Sequence, residues 1–172
     1  MPEYIAFRDG VRLIQGPAAA VAGYLKRLPT DEQRSVILIF DAVTSQRIDF
    51  ELWGSVEQVE KRYEPKAAPA AQPGPLIRPA ALLERHWAWL NEQPAGASAT
   101  LRRLVEQARR SPAERERLAK NSAYRFIADV AGDAENFEEA CRALFAGEFE
   151  RLRSLTEAWP PDVRSHLEEL LS

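Results

Sequence analysis

GPLIRPAALLERHWAWLNEQPAGASATLRRLVEQARR, residues 74–110, reads as two amphipathic helices joined by a short turn, and it separates an amino-terminal segment from a carboxy-terminal one. Leu83, Trp87 and Leu90 recur at helical spacing with Leu82, His86 and Trp89 beside them, the pattern of one wide apolar stripe. Pro94, Gly96 and Ser98 interrupt the pattern, and Ser98 is placed to cap a second helix through its hydroxyl. That helix is expected to bury Leu101, Leu104, Val105 and Ala108 and to turn Arg102, Arg103, Arg109 and Arg110 outward.

Upstream, Tyr4–Phe7 and Val11–Ile14 flank Asp9-Gly10, a dipeptide suited to the positive backbone angles of a tight hairpin. Ala18–Leu28 has the apolar spacing of a helix, with Val21, Leu25 and Leu28 inward and Pro29 as its stop. The run VILIF (36–40) predicts a central strand buried on both faces, and the alternation of Ile48, Phe50 and Leu52 predicts a half-buried strand over 47–53. Ser55 and Gln58 form a capping-box pair at the start of a short helix. The expected fold class is therefore α+β, with a small antiparallel sheet and two helices over residues 1–63.

Residues 64–79 contain five prolines and a cluster of alanines, which predicts an extended linker. Residues 80–172 read as an all-helical domain. Ser111-Pro112 marks a helix start, Gly132 and Gly147 follow apolar runs as helix stops, and Trp159-Pro160-Pro161 precedes a last helix.

The 172 residues carry a net charge of -3, which argues against non-specific binding to polyanions. The charge is uneven. Basic residues prevail from Arg78 to Lys120 and acidic residues dominate the tail, so one face suits an acidic partner. No apolar run is long enough to cross a membrane, and MPEYIAFRDG lacks the segments of a secretion signal, so a cytoplasmic protein without membrane partners is expected.

Chemistry is scarce in the pattern. His86 and His166 are far apart, Cys141 lies on an apolar stripe between Phe137 and Phe145, and no glycine loop has phosphate-binding spacing. No catalytic residue, metal site or cofactor is expected. His86 is expected to be partly buried beside Leu82 and Leu90, and Trp87, Trp89 and Trp159 to be core aromatics.

FDAVTSQRIDFELWGS (40–55), LLERHWAWLNEQPAGASATLRRLVEQARR (82–110), YRFIADVAGDAENFEEACRALFAGEFERL (124–152) and WPPDVRSH (159–166) resemble a bacterial family designated domain of unknown function twenty-two thirty-nine. The resemblance implies an architecture and a bacterial setting without a reaction. Its members usually have a glycine where this chain has Ser45, and a Gly-Gly pair where it has Ala95-Gly96.

The central stretch also resembles a ribbon-helix-helix DNA-binding unit, in which two chains pair strands and the second helix grips a phosphate with its amino terminus. That likeness implies a homodimer binding duplex DNA through Arg78, Gly96, Ser98, Arg102 and Arg103. Pro79, on the implied ribbon, has no amide hydrogen to donate. The alternative is a protein-interaction or scaffolding module that binds no nucleic acid. Both readings are non-enzymatic.

Overall fold

The computed structural model describes residues 2–29, 36–65 and 79–172. Two compact units divide the chain. One comprises Met1–Glu64 with Glu116–Ser172, and the other comprises Pro65–Arg115. Most of the segment 64–79, expected to be an extended linker, lies outside the described residues, as does Arg78.

In the first unit, strands β1 (Glu3–Arg8) and β2 (Val11–Pro17) form the expected hairpin, and β3 (Leu38–Asp41) pairs with β1 on its other side. Both pairings are antiparallel. Asp9 (φ 51°) and Gly10 (φ 78°) make the turn, and Gly10 has a second constraint: a Cβ there would stand 2.6 Å from Pro160 Cγ.

Two sequence expectations change here. The central strand is β1, while VILIF begins pairing only at Leu38, lies at the side of the sheet and leaves Val36 exposed. Residues 47–53 form no strand, only an isolated bridge between Arg47 and Phe40 and one bond from Ile48 N to Ile39 O. The cause lies in the next helix. Tyr63 Oη accepts from Glu51 N at 2.6 Å, and the Arg62 guanidinium donates to the carbonyls of Glu51 and Trp53, so these backbone groups are satisfied by side chains rather than by a ladder.

Helix α1 (Ala18–Arg27) covers one face of the sheet, where Ala6, Val21, Leu25 and Ile39 are buried together, and helix α2 (Val56–Tyr63) packs against α1. The capping box forms as expected, with Gln58 N donating to Ser55 Oγ and Ser55 N donating to Gln58 Oε1.

The tail covers the other face. Helix α5 runs from Pro112 to Val130, and its residues from Glu116 onward belong to the first unit. It is followed by α6 (Phe137–Ala146), α7 (Phe149–Leu155) and α8 (Pro161–Leu171). Gly147 ends α6 in the left-handed region, as its position after an apolar run predicts. Ile5, Phe7 and Phe40 of the sheet join Phe126, Ile127, Leu144, Leu152, Trp159, Val163 and Leu167 of the helices in one core.

This division differs from a boundary at residues 63 and 80. β1 alternates Ile5 and Phe7 to one face and Ala6 to the other, and all three are fully buried, so both faces of the sheet require a covering layer. α1, backed by α2, covers only one of them, and the tail supplies the second. Polar contacts reinforce this packing: Arg12 N donates to Asp162 at 2.9 Å, and the Arg12 guanidinium reaches both carboxylate oxygens of Glu169 at 3.1 and 3.0 Å.

Candidate interaction site on the helix pair

The second unit contains α3 (Glu84–Asn91) and α4 (Ala97–Arg109). Leu83 caps α3 with its carbonyl, which accepts from His86 N at 2.8 Å and Trp87 N at 3.2 Å. The turn closes through Gln93 N to Leu90 O and Gly96 N to Gln93 O.

Gly96 enters α4 at φ 75°, ψ 162° and occupies the cap position expected for Ser98. Backbone geometry decides this. Glycine alone reaches that conformation at little steric cost, so the helix begins at Ala97 and Ser98 falls inside its first turn. Ser98 makes no side-chain cap, and its carbonyl accepts from Arg102 Nε at 3.2 Å. Among the described residues, no side chain caps the amides at the start of α4.

The apolar stripe is present, but it is not covered. Leu90 is the one buried residue of α3 (2% exposed) and Thr100 the one buried residue of α4. Trp87 is 40% exposed, Trp89 48% and Val105 54%, and Leu83 and Leu104 are exposed as well. Of the three tryptophans expected in the core, only Trp159 is there, with its indole Nε1 donating to Glu135 O at 2.9 Å. The reason is geometric. Two short helices meet along one seam, so a stripe wider than that seam keeps its outer part in solvent.

A groove of about 370 Å³ runs along this surface, lined by Leu82, Arg85, His86, Trp89, Leu90, Leu101 and Leu104. His86 is exposed in it rather than partly buried. Arg102, Arg103, Arg109 and Arg110 point to solvent as expected, and Glu106 pairs with Arg109 at 2.9 Å and with Arg110 at 3.6 Å. Of the five residues expected to contact nucleic acid, the fold thus carries Gly96, Ser98, Arg102 and Arg103 on α4 and its cap, and Arg78 lies outside the described residues.

The buried histidine is the other one. His166 on α8 is 2% exposed and packs against Phe7 and Phe126, its ring centroid 4.6 Å from that of Phe126. Its Nδ1 lies 3.0 Å from Glu169 Oε2, while Nε2 is buried without a partner among the described residues. A carboxylate only accepts, so the proton sits on Nδ1 and Nε2 is a bare lone pair. Burial holds His166 below its ordinary pKa despite the opposing pull of Glu169. The i, i+3 spacing of His166 and Glu169 was visible in the sequence; their third partner, Arg12, is 157 positions from Glu169 and was not.

Cys141 is half-buried, which raises its thiol pKa and makes it a poor nucleophile. Among the described residues, no three His, Cys, Asp or Glu side chains are grouped to hold a metal ion, and no helix is long and apolar enough to cross a membrane.

Together these features define an α+β protein with a separate helix pair whose apolar side is open. A family model described as "Uncharacterized protein conserved in bacteria (DUF2239)" matches residues 3–171, and the chain belongs to that family. No curated protein and no solved structure matches the chain.

Proposed function

We propose that the protein is a non-enzymatic interaction module that self-associates, and that the partner on the open side of α3 and α4 is a second copy of the same pair. The observation that carries this reading is the exposure of Trp87, Trp89, Leu104 and Val105 on a unit with only Leu90 and Thr100 buried in its helices. A unit of roughly 50 residues is small for an independent core, and contiguous exposed apolar surface marks an interface. The groove is lined by Trp89, Leu90, Leu101 and Leu104, and the Trp87 ring projects from α3 outside that lining. A two-fold pairing sets the groove of each copy, with Trp89 and Leu104 in its walls, against that of the other. Four helices packed in this way form a bundle with the charged residues of α4 on its outside. Sedimentation equilibrium over a concentration series tests the reading: a dimer is expected for the wild type and a monomer for Val105→Glu, and a wild-type monomer at all concentrations contradicts it.

The α4 start supports a second reading, in which the dimer binds duplex DNA. Among the described residues no side chain caps its amides, and Ser98, Arg102 and Arg103 are exposed nearby. Fluorescence anisotropy of a random duplex across a salt series tests it. Arg102→Ala with Arg103→Ala should flatten the logarithmic salt slope by about one unit for each phosphate no longer neutralised. Absence of binding at low salt leaves self-association as the function.

A further inference from the structure

The first unit contains a cavity of about 370 Å³ between α7 and α8. Phe149, Leu152, Leu167 and Leu171 line it, and Leu152 and Leu167 belong to the buried core, so the cavity reaches the apolar layer. Its charged lining is Arg153, Arg164 and Glu168. Arg153 is already engaged, with Nη1 2.6 Å from Glu150 and Nε 3.3 Å from Glu168. Arg164 is different: Nε is shut off from solvent without a hydrogen-bond partner, and among the described residues no carboxylate pairs with its guanidinium. The hydroxyls nearby donate elsewhere, Thr156 to Leu152 O at 3.0 Å, Ser172 to Glu169 O at 2.9 Å and Ser165 to Glu169 Oε1 at 3.4 Å. Among the described residues, Arg164 is the charged group of the lining that makes no ion pair.

We propose that this cavity is a binding site for a small monocarboxylate with a short aliphatic chain. A guanidinium presents paired N–H donors that match a carboxylate, and Arg164 lines a cavity with apolar walls while making no ion pair among the described residues. One negative charge satisfies it. A cation is repelled, and a neutral alcohol leaves the arginine unmatched. The volume lies in the range of small-molecule sites, and apolar walls with one directing polar group are the usual composition of such sites.

The test is titration calorimetry of the full chain with sodium octanoate at low ionic strength, with octylammonium and 1-octanol as comparison probes. Octanoate should saturate one site, and both comparison probes should bind at least tenfold more weakly. Arg164→Gln should weaken octanoate at least tenfold and Arg164→Lys should restore much of the loss. Methyl resonances of Leu152 and Leu167 should shift on binding, which separates this cavity from the groove on α3 and α4. The proposal is overturned if octanoate does not bind, if octylammonium or octanol binds equally well, or if the shifts fall on Leu101 and Leu104 instead. The probe comparison uses only the wild-type chain, so it decides the matter even if a variant fails to fold.

Discussion

His166 donates its Nδ1 proton to Glu169 at 3.0 Å, while Glu169 also receives the Arg12 guanidinium, so one carboxylate ties α8 both to itself and to β2. The pH dependence of stability follows from this contact. The folded pKa of His166 lies below its ordinary value of 6.5, chiefly through burial. In the window below 6.5 the unfolded chain therefore takes up a proton that the folded chain refuses. The stability contributed is complete above that window and is lost as pH falls through the folded pKa. Urea midpoints measured from pH 7.5 to 5 should decline, and His166→Phe should flatten that decline. An identical decline in the variant would show that another group is responsible. Glu169, which partial burial pushes upward but His166 and Arg12 together hold below 4.5, adds its own loss only below that pH.

Ser45 offers a stabilising substitution. The turn at 41–46 is fixed by Asp41, whose carboxylate accepts from Val43 N, Thr44 N and Thr44 Oγ1. It forces Ser45 to φ 51°, with its hydroxyl buried and unpaired among the described residues. Ser45→Gly relieves both burdens, and the unfolded chain's added freedom offsets part of the gain. A net increase of about 1 kcal/mol is expected from chemical denaturation. Ser45→Ala removes only the orphan hydroxyl and should gain less than Ser45→Gly. Equal gains would mean that the backbone angle carries little strain.

Phe126 tests whether the sheet and the tail share one core. Its ring lies 5.0 Å from Phe7 and 5.6 Å from Phe40, both on the sheet, and 4.6 Å from His166 on α8. Phe126→Ala should cost about 3–5 kcal/mol. Hydrogen exchange should report the loss equally in β1 and in α8. A loss confined to the tail helices would contradict a common core.

Much of this fold was legible in the sequence because the signals were local. Asp9-Gly10 specified a hairpin, Ser55 with Gln58 a capped helix, and Gly147 a helix stop, each through geometry acting over a few residues. The strand expected at 47–53 failed because Arg62 and Tyr63, one helix later, compete for its backbone groups. The grouping of the tail with the first 64 residues has a longer-range cause: nothing in Ile5 or Phe7 says which segment will cover them. On the helix pair the periodicity correctly located the apolar stripe. Periodicity states which side is apolar, not whether anything within the same chain covers it, and so Trp87 and Trp89 read as core.

The proposed function rests on the open side of α3 and α4, and intermolecular NOEs test it without intermediaries. A sample mixing methyl-labelled chains with unlabelled chains would be studied by a filtered experiment that passes only contacts between copies. A second-copy interface predicts such contacts between the labelled Leu104 and Val105 methyls and the aromatic protons of Trp87 or Trp89 on the other copy. If those methyls show contacts only within their own chain, the second-copy interface is contradicted.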